Sequence, residues 1–243
     1  MKGRGRRTAA HGALARGRRV ALVAALCAFA GPPLAILVLR WVPPPTSAFI
    51  LLHDGPVRHE WVPWPEISRE LAIAVVAAED QRFLEHHGFD FAQISSALSE
   101  QEARRLRGAS TISQQVAKNL FLWPGHSWLR KGLEAWLTLW IEALWPKQRI
   151  LEVYLNFAEF GPGVYGAGAA SRLYFGTAPR TLGPEESARL AAVLPDPRRI
   201  HVLAPGPWAE ERAAQIQDLV ASLGGPGYLR ALWPAKLTRS PAR

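Results

Sequence analysis

The sequence predicts a mostly α-helical chain that begins with a single membrane-crossing helix and continues as an α-helical domain outside the membrane. Three observations carry that prediction. Residues 20–39 read VALVAALCAFAGPPLAILVL without one charge, which is about the ~20 apolar residues needed to cross ~30 Å of hydrocarbon. From Ser68 onward, apolar positions recur at helical spacing between residues that start and stop helices. Strict apolar–polar alternation never runs beyond a few residues, so no extended sheet is expected.

Composition narrows the function classes. The chain has 243 residues, 49% of them hydrophobic, enough for one good-sized core or two small ones. The single cysteine, Cys27, excludes a disulfide framework and a Cys-rich zinc site. A net charge of +9 suggests nucleic acid, but its distribution argues otherwise. Residues 1–19 hold seven Lys/Arg and no acid, while the rest carries 22 basic and 20 acidic side chains. The basicity belongs to a tail and not to a binding face.

That tail fits the apolar stretch behind it. Trp41 stands at the far edge, where indole favours the interface, and the positive-inside rule leaves residues 1–19 in the cytoplasm. Gly31-Pro32-Pro33 kinks the helix, which membrane helices tolerate. A cleavable signal peptide is the rival reading, but it needs a shorter apolar region and a small-x-small site. Arg40-Trp41-Val42-Pro43-Pro44-Pro45 supplies none.

The expected organisation is a basic cytoplasmic tail (1–19), a transmembrane helix (20–42), a juxtamembrane connector (43–67), a catalytic domain (68–205) and a C-terminal helical segment (206–243). The connector is rich in Pro and aromatics, and Trp61 and Trp64 are expected on lipid headgroups. AFILLH, residues 48–53, is the best strand candidate. Ser68 caps a helix with Glu70 in its first turn. Further helices are expected from Phe91, from Ser110, from Trp128 to Trp145 and from Lys147 to Phe157. Two more follow: one from Pro184 as far as Pro195, and one from Trp208 to Leu223, stopped by Gly224-Gly225-Pro226.

Three segments carry chemistry. Glu79 has Val76, Val75 and Ala72 at i−3, i−4 and i−7, so its carboxylate shares the apolar stripe, where desolvation raises its pKa and suits it to acid–base work. The structural alternative pairs Glu79 with Arg82. In GASTISQQVAKNLFL, residues 108–122, Ser110 or Thr111 caps a helix. Thr111, Gln115 and Lys118 follow helical spacing on it, beside Gln114 and Asn119; amides and a lysine suit sugar hydroxyls and an anion. An ordinary polar face is the alternative. In RKGLE, Arg130 and Glu134 stand at i, i+4. They are read either as a surface ion pair of about 0.2–0.5 kcal/mol or as part of a segment that puts cations opposite a phosphate and a second carboxylate in the cleft.

Two motifs are decoys. Gly161 to Gly166 fits G-x-G-x-x-G, but a helical pattern precedes it where a dinucleotide site needs a strand. The glycines are expected in a tight turn. His86-His87 matches no zinc spacing and is expected to be structural, so no metal-ligating residues are assigned. Trp123, Trp128, Trp136, Trp140 and Trp145 crowd one stretch, either as core or as an apolar patch dipping into a bilayer.

Taken in order, EDQRFLEHHGFD (79–90), GASTISQQVAKNLFL (108–122), RKGLEAWL (130–137), KQRILEVYLNFAEFGPGVYGAGAA (147–170) and LAAVLPDPRR (190–199) resemble the motifs of the peptidoglycan glycosyltransferases, glycosyltransferase family 51. The resemblance spans about residues 46–205 and leaves no room beside it for a transpeptidase domain. It implies a lysozyme-like helical lobe and a smaller membrane-facing lobe. It also implies polymerisation of lipid II into a β-1,4 glycan with release of undecaprenyl pyrophosphate, by a bacterial inner-membrane protein with a periplasmic catalytic domain. By the match, Glu79 is the base and Glu134 the second catalytic acid residue. Lys118 and Arg130 stand near the pyrophosphate, and Ser110, Gln114, Gln115 and Asn119 contact sugar and phosphate. A divalent cation, Mg²⁺ or Mn²⁺, is an implied aid with no ligand motif to fix it. Implied partners are lipid II, the growing glycan strand, the bilayer and other cell-wall synthesis proteins, and no nucleic acid.

The sequence departs from the family pattern at His126, where an arginine is frequent, and at Val193 and Asp196, where Met and Asn are common. A glycan-cleaving lytic transglycosylase or lysozyme-type enzyme is one alternative. It has no use for Lys118 and Arg130 beside a lipid pyrophosphate. A membrane-anchored, non-enzymatic envelope scaffold is another, and it leaves Glu79 and the QQ-x-x-K helix unexplained.

Overall fold

The structure, a computed structural model, describes residues 18–19, 29–91 and 110–233. The chain divides into two units, Met1–Val42 and Pro43–Arg243. In the first, residues 29–39 are helical. Among the described residues no helix is long and apolar enough to cross a membrane. Residues 20–28, the first nine of the expected transmembrane helix, lie outside the described residues, as does nearly all of the helix expected from Phe91.

In the second unit eight α-helices are described: α1 (Ala48–Leu51), α2 (Arg69–Glu79), α3 (Ile112–Phe121), α4 (Trp128–Leu144), α5 (Lys147–Phe157), α6 (Gly166–Phe175), α7 (Pro184–Val193) and α8 (Pro207–Ser222). Capping chemistry sets their boundaries. Ser68 Oγ accepts from Glu70 N to start α2 and donates to Leu182 O, which ties that start to the chain ahead of α7. Thr111 and Gln114 form a capping box at the start of α3. Ser127 Oγ accepts from Arg130 N at the start of α4. Pro184 and Pro207 open α7 and α8, where a missing N–H costs nothing.

α2 is the central helix, and α7 and α8 pack on it and on each other. Leu71 to Ala77 are all buried, so α2 has no solvated face to contrast with an apolar stripe. Leu71, Ile73, Val75 and Val76 are fully buried, each contributing about 1.5–3 kcal/mol. That gain outweighs the desolvation of one carboxylate at the helix end. α3 packs against α4 and α5.

Three short strands, β1 (Arg58–His59), β2 (Glu159–Gly161) and β3 (Val164–Tyr165), form a sheet in the order β1-β3-β2. β2 and β3 form an antiparallel hairpin and β1 adds in parallel. The glycine motif is the hairpin turn. At Gly163, with φ 70°, a Cβ would stand 2.4 Å from Pro56 O, so the chain can pass there only as glycine.

The connector differs from expectation. AFILLH is no strand: Ser47 caps it and residues 48–51 turn into α1. Trp64 is not on lipid headgroups but 4% exposed in the core, its Nε1 donating to Leu232 O at 2.9 Å. Trp61 packs against Phe157 and the Arg149 guanidinium. Buried Asn156 explains this docking, because its side chain bonds both Val62 N and Val62 O and fixes the connector on α5.

Candidate active site

Glu79 is the last residue of α2. Its place in the fold comes from the turn that follows. Asp80 ends the helix with one oxygen 2.7 Å from His86 Nε2 and the other accepting from Ile112 N at 3.0 Å. Thr111 Oγ1 donates to Gly88 O. These bonds fasten the end of α2 to the start of α3, so Glu79 meets the side chains of α3 one turn in. Buried His86 serves this clamp, in keeping with the structural role expected of it.

The result is a cleft of ≈600 Å³ lined by Glu79, Ser110, Gln114, Gln115, Lys118, His126, Arg130, Lys131 and Glu134, with Phe49, Leu194 and Pro195 among its apolar walls. Segments far apart in sequence thus converge on one site. Asn119 does not line the cleft, and Gln114 Oε1 is taken up by Thr111 N in the capping box.

Burial pushes the Glu79 carboxyl above its ordinary value, against the hydrogen bond from Gln115 and the positive charges of Arg212 and Lys118. Gln115 Nε2 donates to Glu79 Oε2 at 2.7 Å, and Tyr154 donates its hydroxyl to Gln115 Oε1 at 3.2 Å. Arg82, the alternative partner of Glu79, bonds Glu85 and Asp90 instead. Lys118 is pushed below the ordinary lysine value by burial, with Arg130 acting in the same direction and Glu134 against it. Its ammonium lies 5.7 Å from the Phe49 ring.

The Arg130–Glu134 pair is not a surface ion pair. Its side chains are 8% and 3% exposed and joined at 3.1 Å, while Lys131 bonds the other oxygen of Glu134. Both carboxylate oxygens of Glu134 are therefore committed to cations. The buried Nε of Arg130 has no hydrogen-bond partner among the described residues, a costly state for an ionised group. No group of three or more His, Cys, Asp or Glu among the described residues could hold a metal ion. The implied divalent cation therefore finds no ligand set in these residues.

Sequence reasoning missed Lys131, although it stands next to Arg130 and at i, i+3 from Glu134. It missed Phe49 because AFILLH read as a strand. Tyr154 carried no local signal, since its contact with Gln115 spans 39 residues.

Residues 49–222 match the model of a family described as transglycosylase. The chain is 52% identical over 228 residues to a protein of Xanthomonas campestris pv. campestris (strain B100) named biosynthetic peptidoglycan transglycosylase, covering 89% of this chain and 92% of that one. It is 51% identical over 207 residues to a protein of the same name from Pseudomonas aeruginosa (strain PAO1), covering 81% and 89%. A Stutzerimonas stutzeri (strain A1501) protein of that name is 51% identical over 211 residues, covering 83% and 87%.

Proposed function

The chain belongs to the transglycosylase family, and from that premise we propose that its cleft joins a glycan acceptor to a lipid-linked sugar donor, with Glu79 as the base and a cluster of cations behind the leaving group. The chain is a peptidoglycan glycosyltransferase, so the substrates are lipid II and the growing glycan strand. The 4-hydroxyl of the acceptor GlcNAc attacks C1 of the donor MurNAc. The O4–C1 bond forms, the bond from C1 to the pyrophosphate oxygen breaks, and the hydroxyl proton passes to Glu79. Undecaprenyl pyrophosphate departs, and the α-linked donor becomes a β-1,4 linkage by inversion.

The observation that carries this reading is the pairing of opposites in one cleft. A desolvated carboxylate raised above its ordinary value faces Lys118, Arg130 and Lys131, with Arg130 Nε unpartnered among the described residues. A base near neutrality and fixed positive charge for a pyrophosphate are what an inverting displacement requires. Glu134 orients Arg130 and Lys131 and leaves the cleft's cations in excess of its carboxylates. In this reading Ser110, at the cleft wall, binds sugar or phosphate oxygens, and Gln115 holds Glu79.

Residues 20–42 anchor the chain in the bacterial inner membrane in a single pass, with the basic tail cytoplasmic and the catalytic domain periplasmic and lysozyme-like. The charge asymmetry around residues 20–39 supports this topology. Incubating the purified chain with labelled lipid II and, separately, with preformed glycan tests the function. Polymer from lipid II is expected. Cleavage of preformed glycan would point to a lytic enzyme, and neither product to a scaffold.

A further inference from the structure

The last α-helix of the described residues, α8, holds a residue that does not line the cleft. We propose that Arg212 is a positioning residue for the transfer reaction, fastening the last turn of α2 and supplying Glu79 with a positive charge that substrate does not neutralise. The inference rests on Glu79 acting as the base.

The geometry begins with the end of α2. The last carbonyls of a helix have no partner within it. Asp80 N takes Val76 O at 2.9 Å. The carbonyl of Ala78, directly before Glu79, accepts from Arg212 Nη2 at 3.1 Å. Two residues beyond Glu79, Gln81 O accepts the hydroxyl of Tyr228 at 3.0 Å. The C-terminal segment therefore grips the backbone on both sides of the carboxylate. α8, which carries Arg212, packs directly on α2.

The charges around Glu79 give Arg212 a second task. Facing it are Lys118 from α3, Arg212 from α8, its own neighbour Asp80 and the buried phenol of Tyr154 from α5. The hydrogen bond from Gln115 and the two cations favour the ionised form that a base must hold, and of these only Lys118 and Arg212 carry charge. Lys118 lines the cleft, whereas Arg212 is not among the residues that line it. A pyrophosphate bound against Lys118 cancels much of that charge at Glu79 and adds negative charge of its own. Arg212, held on Ala78 O and outside the cleft lining, is not covered by a ligand there and keeps its charge at Glu79 when the cleft is filled.

The full chain in detergent, polymerising labelled lipid II across a range of pH, provides the test. Arg212→Gln keeps a hydrogen-bond donor and removes the charge, and Arg212→Lys keeps the charge. Arg212→Gln is expected to move the acidic limb of kcat to higher pH and to lower kcat near neutrality, with KM unchanged. Arg212→Lys is expected to leave the limb near its wild-type position even if melting shows it to be less stable. An unmoved limb in Arg212→Gln, or an equal shift in both variants, overturns the proposal. Glu79→Gln run in parallel keeps the two readings apart. Turnover by that variant removes Glu79 from the mechanism, whereas its inactivity beside an unmoved Arg212→Gln limb removes only Arg212.

Discussion

Tyr154 donates its hydroxyl to Oε1 of Gln115 at 3.2 Å. Because that oxygen is occupied, the amide presents Nε2 to Glu79, 2.7 Å away. Burial raises the Tyr154 phenol well above its ordinary value, so it stays a donor throughout the working pH range. A residue on α5 thereby sets the orientation of an amide on α3 that holds a carboxylate on α2.

Tyr154→Phe is expected to lower kcat by about 3–10-fold, in line with the loss of one hydrogen bond of ~0.5–1.5 kcal/mol. The fold should persist, since the ring remains. Steady-state polymerisation of lipid II checks this, and an unchanged kcat would show that Gln115 needs no anchor.

Glu79→Gln is expected to abolish polymerisation, with a loss of ~10²–10⁴ in rate, and also to stabilise the chain. The sign follows from the raised value of Glu79. A carboxyl whose folded value lies above its unfolded one favours the fold at low pH and loses that contribution as pH rises through the folded value. The neutral amide escapes the loss. Thermal melts should show Glu79→Gln above wild type at pH 8, with the gap closing under acidic conditions. A gap that widens toward low pH would mean that the ionised form is the favoured one.

Much of this was legible in the sequence because caps and breakers are local. Ser68, Pro184 and the Lys147–Phe157 pattern gave their helices closely, and of the candidate site residues all but Asn119 line one cleft. What was not legible depends on contacts between distant segments. The apolar stripe under Glu79 was the wrong reason for its burial. α2 is covered all round, and Glu79 meets the cleft because it ends the helix and Asp80 ties that end to Ile112 N. AFILLH has the composition of a strand, yet Ser47 caps it as a helix. Trp64 reads as an interfacial residue until Leu232, far along the chain, accepts its N–H.

If the proposed reaction holds, Lys118→Ala and Arg130→Ala each cut kcat/KM strongly, because both cations line the cleft in which the leaving group's concentrated charge would sit. In the double variant the losses should fall short of additive, since the two act on one anion. Glu134→Gln should cost about 3–5 kcal/mol of stability by leaving Arg130 buried without its carboxylate. Small, additive effects on lipid II turnover, with full stability retained in Glu134→Gln, would reduce RKGLE to a helix-surface pair.

The tryptophan-rich stretch divides between the two roles it could play. Trp145 is 3% exposed and belongs to the core, whereas Trp128 and Leu129 are 93% and 70% exposed. Leu51 and Leu52 are also exposed. Both pairs adjoin the cleft, the first through Arg130 and Lys131 and the second through Phe49. Apolar side chains left in water at the mouth of a site for a lipid-linked substrate are suited to entering a bilayer, and indole favours that depth. A fragment of residues 46–243 is therefore expected to float with anionic vesicles even without residues 20–42. The double change Trp128→Ser and Leu129→Ser should weaken that binding at least about tenfold, given ~1.5–3 kcal/mol for each side chain fully buried. Residual binding that vanishes in high salt would be electrostatic and separable from the apolar part. A fragment that stays unbound, or that binds equally well after the double change, would show that these side chains meet something other than lipid.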